Sequence, residues 1–588
     1  MRYKIVFYFL LLASINSLLA QNLPPVFGSN FDGKTFDDHR VRKYITAQRI
    51  VWQSDKSGKY ISGEKNLLTT GKGQPELPQR NLCTLRSDSV TKPAIVLDFG
   101  KELQGGLQLV TAMMKTHDPV HVRIRFGESV SEVMNDVDTI KGATNDHSMR
   151  DFIVALPWLG VQEVGNSGFR FVRIDLEDSN TELLLKEVNA IFVYRDIQYE
   201  GSFECDDKRL NDIWMTGAYT VHLNMQEYIW DGIKRDRLVW VGDMYPEVMT
   251  VNSVFGYTDI IPKSLDVAKE QNPLPAWMNT ISAYSMWWVI IQKDWYYYQG
   301  DKAYLTKQKD YLVNLMNFLM TKVDSTGKEQ LDGTRFLDWP SSENPEAIHR
   351  GYQSLMIMTM KAGGELCSIL NDTKMAAKCK AMEAKMRTYP LKPVDNKQAA
   401  ALMVLAGMMD PGKANKEILA VGGAKNFSTF YGYFMLRAMA KAGKYKECMD
   451  IIKQFWGAML DMGATTFWED FNLDWLENAS RIDEPVPAGK KDIHGDCGAY
   501  CYKGLRHSLC HGWASGPTAW LTEYVLGVSV LEPGCKTIQI KPNLGNLKWV
   551  KGSFPTPFGI VTIKHTKLAN GKVKTVFHAP AGVKVITM

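Results

Sequence analysis

Residues 206–228 read DDKRLNDIWMTGAYTVHLNMQEY, and the hydrophobic period of the chain changes there. Leu210, Ile213, Trp214, Tyr219 and Leu223 recur near helical spacing behind Asp206 or Asp207, either of which suits a helix N-cap. From here to about residue 526, helical segments alternate with loops; the clearest are 304–323, 351–370, 397–409, 427–442, 445–460 and 513–526. No equal-period repeat is visible, but roughly ten to twelve helices fit the span. Aromatic clusters (YSMWW, DWYYYQGD, FLDWP and TTFWEDFNLDW) fall in the connecting regions. Helical hairpins set in a ring, with functional loops at one end, would account for that distribution.

Upstream, AIVLDFG, GLQLVTAMM, VHVRIRFGE, FRFVRIDL and VNAIFVYRDI are mostly alternating β runs bounded by Gly, Asp and Asn, which predicts an antiparallel sandwich over 93–203. Residues 21–92 are less regular and are expected to pack along that domain. Downstream, KTIQIKPN, IVTIKHT and KVKTVFHAP predict a small β domain over 528–588. The helical domain then spans 204–527.

Composition narrows the function. The 588 residues are 45% hydrophobic and 23% charged, with a formal net charge of +5 and no long Lys/Arg run. That balance is globular and speaks against a nucleic-acid partner. The first twenty residues, MRYKIVFYFLLLASINSLLA, have a basic start, an apolar run and a small residue before Gln21, the pattern of a cleaved export signal. No Cys follows closely enough for a lipid anchor, and no later stretch is apolar enough to span a bilayer. A soluble exported protein, periplasmic in a bacterium, is expected. Nothing indicates its oligomeric state.

Nine cysteines in so long a chain do not make a disulfide scaffold. HGDCGAYCYKGLRHSLCH gathers Cys497, Cys501, His507, Cys510 and His511. Zinc, a local disulfide and simple packing are each open to it, although the spacing fits no standard finger. No metal or cofactor is expected.

The chemistry concentrates in residues 231–243, DGIKRDRLVWVGD, which hold three aspartates, two arginines, a lysine and Trp240. This stretch resembles the hallmark Asp-Cys-Pro-Gln-Arg-Asp-Glu-Arg-Leu-Gly-Trp-Thr-Gly-Asp of glycoside hydrolase family 78, the bacterial α-L-rhamnosidases. TTFWED resembles that family's Thr-Thr-x-Trp-Glu loop, SLCHGWASGPTAWLTEYVLGV its last barrel helix, and IKPNLGNLKWVKGSFPTPFGIVTI its C-terminal sheet domain. The resemblance implies an (α/α)₆ barrel between an N-terminal β-sandwich and a C-terminal β domain, and hydrolysis of a glycan with inversion. It implies that Asp231, Arg235, Trp240 and Asp243 contact the rhamnosyl unit and that Glu469 is the general base. His511 corresponds to a sugar-binding histidine and Trp339 to an aromatic wall, with Trp287 or Trp288 a looser match.

One departure matters. The family reads Arg-Asp-Glu-Arg-Leu, with the Glu as general acid, whereas this chain reads Arg235-Asp236-Arg237-Leu238 and has no glutamate there. Asp236 is the expected replacement, with Asp243 next and Glu247 third. Inversion needs one protonated carboxyl and one carboxylate about 6.5–9.5 Å apart. If the stretch were helical, Asp236, Trp240, Asp243 and Glu247 would share a face, although Gly242 and Pro246 make that helix doubtful. Each residue also has a plainer reading. Asp243 could cap a helix, Asp236 pair with a surface Arg, Glu469 be an exposed loop acid, and Trp240, Trp339 and His511 be packing groups. Other sugars on the same barrel, or a carbohydrate-binding protein that lost its acid, are the alternatives.

Overall fold

The computed structural model describes residues 38–136 and 147–588, so the expected export signal lies outside the described residues. Strands β1 (Arg40–Thr46), β2 (Arg49–Gln53), β3 (Ile61–Ser62), β4 (Cys83–Arg86), β5 (Ala94–Thr111), β6 (Val120–Gly127), β7 (Asp151–Leu156), β8 (Gly160–Leu176) and β9 (Glu182–Arg195) form one antiparallel β domain. Its backbone path runs β3-β4-β9-β5-β8-β6-β7, with β1 added on β9 and β2 on β5. The first half of β5 pairs with β2 and its second half with β9. Register breaks in its pairing with β8 fall between Asp98 and Leu103 and between Gly105 and Leu107, where the strand bends. Gly105 (φ 148°) is required there, since a Cβ would strike the Ile191 carbonyl. Leu97, Leu107, Leu109, Val122, Ile124, Phe169, Ile174 and Leu185 fill the core. The segment before residue 93 is more regular than its sequence suggests. Its strands β1–β4 are short or half-exposed, so their alternation is weak, but their backbones complete the sheet.

The helical domain starts at Lys208–Asn224, where the Asp207 carboxylate accepts hydrogen bonds from the Arg209 and Leu210 amides. Helices Met244–Val254, Ser282–Gln299, Pro345–Ile369, Lys397–Leu405, Gly432–Lys441 and Gly516–Trp520 each contact the next, and the last returns to the first. Met244–Val254 is buried at every position, as an inner helix must be. The long segment expected at 304–323 is broken at Gln308 into Lys302–Lys307 and Lys309–Met320. Trp287, Trp288, Trp456 and Trp520 are fully buried in this core. The fold class is therefore a helical domain between an N-terminal sheet domain and small C-terminal sheets. Among the latter, Trp549–Thr556 pairs with Ser202–Cys205, so four residues just ahead of the helices belong to the C-terminal sheet.

Candidate active site

Residues 231–240 are not helical. Asp231 closes a loop on itself: its Oδ1 accepts the Leu238 amide at 2.9 Å, and its own amide donates to the Leu238 carbonyl at 3.1 Å. Asp236 and Arg237 both take positive φ, 55° and 54°. Two consecutive left-handed non-glycine residues are costly, and the surroundings hold them. Arg237 donates to the carbonyls of Asn166 and His147 in the β domain, both at 3.0 Å. This tight bend occupies the place where the chain is one residue shorter than the resembled motif.

The helix begins only at Met244, so the face that a helical 236–247 would have shared does not form, in line with the doubt that Gly242 and Pro246 raise. Asp231, Arg235, Asp236, Trp240 and Asp243 nevertheless line one cavity of about 430 Å³, together with Trp339, Glu469 and His511. Glu247 does not line it. It lies behind the wall with its carboxyl against Gly512, where a Cβ would meet Oε1 at 1.6 Å. Trp287 and Trp288 are core residues, Trp287 packing on Tyr245 and Phe434. Asp243 precedes the helix but makes no side-chain capping bond. Its Oδ1 accepts from Tyr284 Oη (2.9 Å) and its Oδ2 lies 3.1 Å from His511 Nε2.

Glu469 is the electrostatic centre. Arg235 Nη2 donates to its Oε1 (2.7 Å), the Ser508 amide donates to Oε2 (3.2 Å), and His511 Nδ1 lies 3.6 Å from Oε1. Burial opposes its charge, but Arg235 and then His511 outweigh burial and hold the carboxyl down at about 2. Asp231 behaves oppositely: burial, then the charges of Asp236 and Asp243, push its carboxyl well up. Burial likewise raises Asp243 and Glu247. Asp236, with a side chain 19% exposed, faces His147 Nε2 at 3.2 Å and Arg235 Nη1 at 3.3 Å. The cavity thus offers a carboxylate held in its charged form, Glu469, two carboxyls that burial pushes up, Asp231 and Asp243, and aromatic faces. Three buried polar atoms of its lining residues, Arg235 Nε, Trp240 Nε1 and His511 Nδ1, have no hydrogen-bond partner among the described residues.

Several lining groups escaped the sequence reading. Tyr284 sits inside YSMWW, noted only as an aromatic cluster. Tyr502 lies in the Cys/His-rich stretch, where cysteines drew attention away from it. Its ring lies under Arg235 (4.8 Å) and its hydroxyl accepts from Trp339 Nε1 (2.8 Å). Among the described residues the cysteines are all free thiols, eight of them buried. Cys497 and Cys510 are packed in the interior, Cys501 is exposed at the cavity, and none of the three is in a disulfide in this structure. One His/acid group, Glu128, Glu132 and His494, has metal-like spacing. The Lys234 ammonium already sits there, 2.9 Å from Glu132 and 3.5 Å from both Glu128 and His494 Nε2.

Family models match three stretches of the chain. The bacterial alpha-L-rhamnosidase 6 hairpin glycosidase domain matches residues 198–389. The glycosyl hydrolase family 78 alpha-rhamnosidase N-terminal domain matches 79–189, and the bacterial alpha-L-rhamnosidase C-terminal domain matches 527–587. No curated protein matches the sequence. Among solved structures, the fold is similar to a GH78 family rhamnosidase of Bacillus sp. GL1 (TM-score 0.71, 20% identity, 89% of this chain and 55% of that one). It is also similar to a rhamnosidase from Klebsiella oxytoca with rhamnose bound (TM-score 0.63, 19% identity, 82% and 96%). The chain therefore spans little more than half the length of the Bacillus protein.

Proposed function

The chain belongs to glycoside hydrolase family 78, and from that premise we propose that it is an exported, inverting α-L-rhamnosidase releasing terminal L-rhamnose from a glycan. The observation that carries this reading is the pairing of an ionised Glu469, gripped by Arg235, with unpartnered Arg235 Nε, Trp240 Nε1 and His511 Nδ1 in one cavity. Ionised at neutral pH, Glu469 is the base that activates water. Arg235 and His511, which line the cavity, take sugar hydroxyls, and Trp240 and Trp339 take the C–H faces of the ring. A protein that only bound sugar would gain nothing from a base held ionised in a buried site.

Asp236 is the proposed acid, because it stands beside the gap in the resembled motif and its partly exposed carboxyl lines the cavity. A second reading has its own support. Asp236 lies against Arg235 and His147, whereas Asp231 lines the same cavity with a carboxyl that burial, and then the charges of Asp236 and Asp243, push well up. Hydrolysis of an aryl α-L-rhamnoside followed by proton NMR tests the function. The first product is expected to be the β anomer of rhamnose. The α anomer appearing first would exclude inversion, and stabilisation by rhamnose without turnover would establish the carbohydrate-binding alternative. Turnover confined to other glycosides would place the protein on another sugar.

A further inference from the structure

A second cavity of about 470 Å³ opens beside the first. Chain neighbours straddle the two. Trp339 lines the first and Pro340 the second, Glu469 the first and Asp470 the second, Cys501 and Tyr502 the first and Ala499 and Tyr500 the second. Between them stands a single layer of rings, with Tyr500 stacked on Trp339 at 5.3 Å and 24°. The second cavity has the composition of a sugar site. Trp475 and Tyr500 offer half-exposed rings, and Asn396, Asn426 and Gln398 bring amides. Asp470 Oδ2 is buried there without a hydrogen-bond partner among the described residues. Lys397 is the cation among the described residues lining it, and its ammonium donates to the carbonyls of Gly423 (2.9 Å) and Lys425 (2.7 Å). With that charge engaged and the exposed Asp395 in the wall, an anionic sugar is disfavoured.

We propose that this cleft is a second carbohydrate subsite, which takes a neutral pyranose joined to the sugar held in the first cavity. The linked sugar crosses the Tyr500 edge, lays its C–H face on Trp475 and gives hydroxyls to the amides and Asp470. The assignment rests on the glycosidase reading of the first cavity. It makes the protein selective for rhamnose within an oligosaccharide rather than for any rhamnoside.

Isothermal titration of Glu469→Gln protein, in which turnover is removed, compares L-rhamnose with a panel of α-L-rhamnosyl disaccharides covering each linkage to a neutral hexose and to a hexuronate. At least one neutral disaccharide is expected to bind about tenfold more tightly than L-rhamnose. That gain should drop below about twofold in Trp475→Ala and in Val421→Arg, with affinity for L-rhamnose retained. Val421 is 56% exposed in the cleft wall, so its substitution blocks the space without disturbing the core. The proposal is overturned if no neutral disaccharide outbinds L-rhamnose, if the gain survives both substitutions, or if the hexuronate members bind best. Failure of L-rhamnose itself to bind would instead remove the functional reading, and the second subsite with it.

Discussion

Glu469 sits 1% exposed, an environment that should neutralise a carboxylate, yet Arg235 and His511 keep it charged. Two predictions follow from that opposition. Glu469→Gln is expected to lower kcat by on the order of 10²–10⁴ while leaving sugar affinity nearly unchanged, because a base acts on water in the transition state. A variant retaining more than about a tenth of kcat would exclude Glu469 as the base. Arg235→Gln removes the larger of the two opposing charges and lets burial prevail, so the Glu469 carboxyl should rise. Activity requires it deprotonated. The acidic limb of the kcat profile should therefore move toward higher pH, by about a unit or more. An acidic limb that stays in place would show that Arg235 does not set the charge of Glu469.

At the scale of elements, the bend at 231–240 and the helix that follows it divide the acids among roles. Asp236→Asn and Asp231→Asn separate the two candidate proton donors. An activated aryl leaving group needs little protonation, and a sugar leaving group needs much. The substitution that removes the acid should cost far more activity on a disaccharide than on the aryl glycoside and should abolish the basic limb. Equal losses on both substrates would assign that residue to binding instead. The buried helix Met244–Val254 carries Glu247, whose carboxyl is raised by burial and by Asp243 and Asp231. A carboxyl raised in the folded state stabilises fully below its unfolded value of about 4.3, and that contribution is lost as pH rises toward its folded value. Glu247→Gln should therefore flatten the fall of Tm between pH 5 and pH 8 and leave the protein at least as stable at pH 8. A Tm several degrees lower at pH 8 would mean that Glu247 is ionised and paired.

Across the whole molecule, the β domain reaches the cavity that holds Glu469. Glu128 and Glu132 lie just past β6, in and beside the short helix Val130–Met134. Glu128 Oε2 accepts the Leu509 amide (2.6 Å) and Oε1 lies 3.4 Å from Ser508 Oγ, while the Ser508 amide holds Glu469. Lys234, bridged to Glu132 and donating to the His507 carbonyl (2.8 Å), precedes the Arg235 that grips the other Glu469 oxygen. Both donors to Glu469 thus rest on one buried cluster rooted in the β domain. Glu128→Ala is expected to lower kcat about tenfold and to shift the acidic limb upward, with KM little changed. Glu128→Gln, which keeps an acceptor for Leu509, should restore most of the loss. A loss of Tm with an unmoved pH profile would reduce Glu128 to a structural role.

Periodicity and motif are enough to read the order of sheet, helical and sheet domains and to name eight of the residues that line the cavity. Alternating and helical spacing reflect which face is buried, and DGIKRDRLVWVGD and TTFWED carry their residue types in the right chain order. Other features were not legible because they arise between segments far apart in the chain. Strands β1–β4 join the sheet through backbone pairing, which weak side-chain patterning does not report. Glu247 was expected in the site on helical spacing, but the left-handed bend at Asp236–Arg237 starts the helix late and puts Glu247 behind the wall. The charge of Glu469 depends on Arg235, more than two hundred residues earlier in the chain, and its orientation on Glu128 in another domain. A linear sequence records which groups are present. Desolvation and Coulomb interaction depend on distances and burial, and those exist only once the segments have packed.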